Sequence, residues 1–229
     1  MGIMGAIREH FRSRKLAPMS PEAVFTDYFR RNKWRDPDSR SGKGSNLKAT
    51  EDLRRLLPPL LRDLGVTSFL DLPCGDFFWM QHVDLAGIAY TGGDIVPELI
   101  AQNSARHCGP GRQFQVIDLI KGPVPKAELI FVRDCMVHLS HAHVKAALDN
   151  IRASGATWLL TTVYPATSVN EEILTGQWRA LDLTKAPFHL PRPERLIAEG
   201  ATAEPGQGPD KHLGLWRVAN LPAFGQTGD

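Results

Sequence analysis

Four short apolar runs in this chain each lead into an aspartate: Ser68-Phe69-Leu70 into Asp71, Ala89-Tyr90-Thr91-Gly92-Gly93 into Asp94, Phe114-Gln115-Val116-Ile117 into Asp118, and Leu129-Ile130-Phe131-Val132-Arg133 into Asp134. Such runs, rich in aromatic and β-branched side chains and bounded by turn formers, read as strands. Helix signals separate several of them, which predicts an α/β domain with a mainly parallel sheet. Parallel strands bring their carboxyl ends to one edge, and open sheets of this kind bind ligands there.

The remaining elements follow from caps and breakers. Ser20 followed by Pro21 opens a helix to about residue 31, with Val24, Phe25, Tyr28 and Phe29 on its apolar side. Another short helix is predicted over 5–15. Asn46 caps a helix over 47–64 whose leucines recur at helical spacing, and Pro58-Pro59 should kink or divide it. Asp76 is expected to cap a short helix carrying Phe77, Phe78, Trp79 and Met80. Pro97 and Gly109 bracket a helix over 97–107, and Ser140 caps one reaching about residue 151. A fifth strand is read over 157–163, with two more over 195–198 and 212–218. The expectation is a Rossmann-like sheet of seven strands flanked by helices: residues 1–45 a basic extension or lid, 46–218 the domain, 219–229 a tail.

Charge divides the chain. Residues 1–62 hold 14 Lys/Arg against 7 Asp/Glu in a protein of net charge +2, so the remainder is acidic. A basic front suits nucleic acid, phosphate or an anionic glycan, or a solvated leader; nucleic acid is the less favoured partner. No apolar run marks a secretory signal or a membrane span, and the three cysteines have no metal-type spacing. A reduced, cytoplasmic setting is expected. Gly42-Lys43-Gly44-Ser45 lacks both the preceding strand and the spacing of a phosphate loop.

Gly75 and Asp94 are 19 residues apart, near the separation between a glycine turn and an acid that grips a ribose. A dinucleotide needs G-x-G-x-x-G, because its pyrophosphate must approach backbone amides. Asp71-Leu72-Pro73-Cys74-Gly75-Asp76 has one glycine and two carboxylates, which disfavours a pyrophosphate and favours a cationic ligand with a free ribose.

With those residues in view, the chain resembles the class I S-adenosylmethionine-dependent methyltransferases over roughly 46–218. The segments Leu72 to Met80, Gly92 to Leu99 and Arg133 to Ser140 are similar to a group of small bacterial methyltransferases of mostly unassigned substrate. The resemblance implies that Asp94 binds the ribose hydroxyls and Asp118 the adenine amino group, with Ile95 and Leu119 flanking the base. Asp71 and Gly75 would line the methionine moiety, and Pro73, Cys74 and Arg133 complete the cofactor set. Pro73 stands where the family motif has its first glycine and removes a backbone donor. For Asp118, a turn aspartate is the competing reading.

Beside the expected methyl group lies Arg133-Asp134-Cys135-Met136-Val137-His138. Methyl transfer to a hydroxyl needs in-line positioning and removal of a proton. His138 is the candidate base, and Asp134 orients it, binds substrate or is itself the base. His138, His141 and His143 do not share one helical face, so no metal site is expected. The Gln177-Trp178-Arg179 segment is read as shaping the acceptor pocket or as plugging the core. The expected activity is O-methylation of a small or glycan-like acceptor with S-adenosylmethionine as cofactor. A cofactor-binding pseudoenzyme with a regulatory role and an RNA or protein methyltransferase are the alternatives.

Overall fold

The computed structural model describes residues 14, 16–199 and 210–225; the helix expected over 5–15 falls almost wholly outside them. In order come α1 (Pro21–Arg30), α2 (Glu51–Asp63), β1 (Ser68–Asp71), β2 (Ala89–Asp94), α3 (Pro97–His107), β3 (Arg112–Val116), β4 (Leu129–Val132), α4 (His141–Ala153), β5 (Trp158–Val163), β6 (Arg195–Ala198) and β7 (His212–Arg217). Ser20 Oγ accepts from the Ala23 amide and Ser140 Oγ from the His143 amide, so α1 and α4 begin at their expected caps.

The described strands form one seven-stranded sheet in the order β3-β2-β1-β4-β5-β7-β6. β1 through β5 pair in parallel, while β7 runs antiparallel to β5 and β6. Alternate side chains divide into two cores. Leu70, Ile130, Val132 and Leu159 pack with Val144, Leu148 and Ile151 of α4 on one face. Phe69, Leu129, Phe131 and Leu160 pack on the other with α2 and α3, through Leu53, Leu57, Leu61, Leu99 and Ile100.

Three expectations are corrected. α2 begins at Glu51 with Thr50 at its N-cap, while Asn46 Oδ1 accepts from the Ala49 amide at 2.9 Å in the turn ahead of it. Pro58 and Pro59 sit inside α2, which is continuous. Each interior proline costs about 3 kcal/mol, but Leu53, Leu57, Leu60 and Leu61 are buried, at roughly 1.5–3 kcal/mol each, and that apolar face outweighs the prolines. After β1, the segment Phe77–Met80 forms turns ending in a short 3-10 turn, Met80–His82, rather than a helix. Asp76 accepts from the Phe78 amide at 3.3 Å but spends most of its carboxylate on residues 39–41.

Reversal of strand order beside β1 puts the switch point between β1 and β4, and their carboxyl ends open a crevice there. α1 and the segment after it lie across that edge. Tyr28 Oη donates to the Gly176 carbonyl at 2.8 Å, and Arg30 pairs with Glu98 at the start of α3. At the other end of the chain, Leu221 is buried and the Phe224 amide donates to Asp149, so residues 219–225 also pack on the domain.

Candidate functional site

At the carboxyl edge is a cavity of about 450 Å³, within the size range of small-molecule sites. Asp71, Pro73, Cys74, Gly75, Asp94, Ile95, Asp118, Leu119, Arg133, Asp134 and His138 all line it. These residues span four strand ends, and the topology alone brings them together.

The β1 turn is built on two backbone contacts. The Cys74 amide donates to the Gly93 carbonyl at 2.7 Å and the Gly75 amide to Asp94 Oδ2 at 3.2 Å. Gly75 has φ 54°, and a Cβ there would collide with Ser41 Oγ, so only glycine fits. Asn103 Nδ2 of α3 donates to the Gly75 carbonyl at 2.8 Å and fixes the turn from behind.

Asp71 accepts from Tyr90 Oη at 2.8 Å. Burial pushes its pKa up to about 8, with the Asp94 charge adding to the rise and Tyr90 and Arg133 opposing it. Asp94 is also raised, to about 6, by burial, against the Val96 and Gly75 amides that bond its carboxylate. Two crowded carboxyls that resist ionising form a pocket in which a cation relieves both. Asp118 Oδ1 accepts from the Ile120 and Lys121 amides at 2.8 and 3.1 Å, so it is a turn aspartate that also faces the cavity.

Past β4 the chemistry changes. Asp134 takes φ 52° and its amide donates to Thr162 Oγ1 at 2.9 Å. Lys211 Nζ donates to Asp134 Oδ2 at 2.6 Å, and Arg133 NH1 lies 3.2 Å from the same oxygen. Burial alone would raise the Asp134 pKa; Lys211 and Arg133 outweigh it and hold the carboxyl near 2. A carboxylate that acidic is a weak base at neutral pH. Arg133 is committed elsewhere: it donates to Glu199 Oε2 at 3.0 and 2.7 Å and to the Gly44 carbonyl at 2.9 Å. It therefore lines the cavity while bracing Glu199 and the segment at Gly44.

His138 ends a short 3-10 turn, Met136–His138. Its Nδ1 lies 2.9 Å from the Gln177 carbonyl, which can only accept, so the neutral ring carries its proton on Nδ1 and Nε2 is the basic nitrogen. The Gly176 amide donates to the His138 carbonyl and the Arg179 amide to that of Val137, fastening the turn to residues 176–179. Arg179 also donates from NH1 to the Met136 and Val137 carbonyls, and burial pulls its pKa down to about 10. Within the 177–179 segment, then, Trp178 lines the cavity while Arg179 is buried behind it. His141 pairs with Glu172 and His143 with Thr175, away from His138. Among the described residues, no group of His, Cys, Asp and Glu is arranged to hold a metal.

Sequence reasoning missed the partners that lie far away along the chain. Lys211 and Glu199 flank the residues between β6 and β7, and nothing local connects them to Asp134. For residues 34–45 the sequence suggests a lid over a bound ligand or a mobile linker and names no partner in the domain. In the structure Ser39 Oγ, Ser41 Oγ and the Arg40 amide all donate to Asp76, at 3.0, 3.1 and 2.7 Å, and the Asp76 amide donates back to Ser41 Oγ. Trp34 stands 6.0 Å from the His138 ring. A serine-rich stretch facing an acidic turn was the available signal.

No protein-family model and no curated protein matches the chain. Among solved structures, it is similar to magnesium protoporphyrin IX methyltransferase from Synechocystis PCC 6803 with bound SAH, at 17% identity and TM-score 0.49, over 65% of this chain and 74% of that one. It is also similar to human N-acetylserotonin methyltransferase in complex with SAM, at 16% identity and TM-score 0.48. That match covers 64% of this chain but only 43% of the longer human protein. A third is the [4+2]-cyclase SpnF, at 16% identity and TM-score 0.48, over 63% of this chain and 60% of that one. At these identities and scores, function has to be argued from this chain's own residues. No helix among the described residues is long and apolar enough to cross a membrane.

Proposed function

We propose that this protein is an S-adenosylmethionine-dependent methyltransferase acting on a hydroxyl of a small acceptor. The observation that carries the reading is the convergence, in one cavity, of an acidic glycine turn, the carboxylate ending β2, the one two residues beyond β3, and a histidine oriented through Nδ1. The β1 turn leads into no helix, so it offers neither the amide cluster nor the dipole that a pyrophosphate needs. Asp71 and Asp94 instead suit positive charge.

When bound, S-adenosylmethionine supplies a methyl group on a sulfonium and leaves as the neutral thioether. Asp94 would hold its ribose, Asp118 with Ile95 and Leu119 its base, and Asp71 and Gly75 its amino-acid end. His138 Nε2 takes the acceptor's proton as the new oxygen–carbon bond forms, and Gln177 keeps the ring in the tautomer that can do so. Asp134 stays ionised through Lys211 and Arg133 and adds negative potential that favours the imidazolium produced.

Calorimetric titration with S-adenosylmethionine and, in parallel, NAD tests the reading. Saturable binding of the first and none of the second supports it; the reverse sinks it.

A further inference from the structure

We infer that the methyl acceptor is an anion with a flat apolar body, whose carboxylate or phosphate seats on the wall formed by residues 33–43. This rests on the methyltransferase reading above and specifies its acceptor. The cavity has walls of opposite charge. From the strand ends come Asp71, Asp94, Asp118 and Asp134, of which Asp134 is paired with Lys211 and with Arg133, itself bound to Glu199. From the segment after α1 come Lys33, Arg40 and Lys43; the carboxylate that reaches this segment is Asp134, against Gly44, and it is already held by Lys211 and Arg133.

What these three cations touch leaves their charge available. Lys33 Nζ lies 5.9 Å from the Tyr28 ring. Arg40 lies 5.9 Å from the Phe29 ring and donates from NH1 to the Phe29 carbonyl at 3.3 Å. Lys43 acts on Asp36, but that carboxylate is already bonded by the Asp38 and Ser39 amides and by Asn46, and it does not line the cavity. Among the described residues, none of the three cations makes an ion pair within 4.0 Å. A cationic donor occupies the acidic wall, and Lys33, Arg40 and Lys43 are exposed to solvent, so an anionic acceptor gains a charge complement there that a neutral one lacks.

The body of the acceptor follows from the rings. Trp34 stands beside the candidate base, Trp178 is 38% exposed with its ring edge-on to Tyr164, and Phe25 and Phe29 line the same space. Aromatic faces around a proton acceptor suit a flat hydroxylated ring. An uncharged sugar would offer the basic wall no charge.

The test uses the full chain saturated with S-adenosylhomocysteine and four probes followed by saturation-transfer NMR: benzoate, phenyl phosphate, benzyl alcohol and methyl glucoside. Benzoate or phenyl phosphate should bind about tenfold tighter than benzyl alcohol, a difference of about 1.4 kcal/mol, and the preference should shrink with added salt. Lys33→Gln combined with Lys43→Gln should remove most of that preference while circular dichroism stays unchanged. Should the double variant unfold, the salt series and single Arg40→Gln carry the decision. Binding of the alcohol or the glucoside as tightly as the anions, or failure of both anions to bind, overturns the inference. If S-adenosylhomocysteine itself does not bind, the donor reading falls separately, and the same titration on the free protein still decides the anion site.

Discussion

Asp71 gives the free protein a carboxyl that keeps its proton into the neutral range, with a pKa of about 8, beside Asp94, raised to about 6 and mostly ionised at pH 7. A sulfonium-bearing donor selects the ionised forms, so binding must release protons. At pH 7 Asp71 is ionised in roughly one molecule in ten and at pH 6 in roughly one in a hundred, and donor affinity should fall by the same factors from its limit above pH 8. The free protein has the opposite dependence. A folded-state pKa above the unfolded value of 3.8 favours folding while the group stays protonated, and that advantage is lost as pH rises through about 8. The slope is at most about 1.4 kcal/mol per pH unit, or roughly 3–6 °C in melting temperature for a chain of this size. Asp71→Asn keeps an oxygen for the Tyr90 hydroxyl and removes the titration. Calorimetry at pH 6, 7, 8 and 9, in two buffers of different ionisation enthalpy, should report net proton release and tightening with pH in the wild type. The variant should give a flatter profile in both binding and melting. Donor affinity that is constant or weakens from pH 6 to 8 would refute the assignment of these carboxyls to a cationic ligand.

Three further outcomes are expected. His138→Ala should leave donor affinity nearly intact and lower turnover by about 10²-fold or more, because it removes a base and not a binding contact; single-turnover rates on an identified acceptor check this. Lys211→Met strips Asp134 and Glu199 of a buried counter-ion, and should cost about 3–5 kcal/mol in denaturant unfolding, far more than an exposed lysine. Asp76→Ala removes the acceptor shared by Ser39, Arg40 and Ser41, so limited proteolysis should cut within residues 36–46 at lower protease doses, with amide exchange there rising ahead of the sheet.

Most of the sheet was legible because its determinants are local. Ser20 and Ser140 cap where a side-chain oxygen precedes an apolar helical run, Pro97 starts α3, and the strands end at or beside their aspartates. The helix expected after Asp76 failed because that carboxylate has a stronger offer: two hydroxyls and an amide arriving from 35–37 residues upstream. Pro58 and Pro59 misled for a related reason, since a local penalty was outweighed by tertiary burial of four leucines. Asp134 was read as a candidate site residue and does line the cavity, yet its protonation state was unreadable, because it is set by Lys211 at 77 residues' distance. Local chemistry thus gives the elements and the residues that end them, while the charge state of the site depends on contacts made only in the folded chain.

The most direct measurement compares S-adenosylhomocysteine binding to the wild type and to Asp94→Ala by calorimetry. Asp94 is the carboxylate through which the β1 turn and the end of β2 meet, and because alanine takes the acceptor from the Gly75 and Val96 amides, melting of the variant is followed beside binding. The account predicts one saturable site per chain in the wild type and an affinity at least about tenfold weaker in the variant, with melting showing both folded. No binding to the wild type, or equal binding to both, would contradict it.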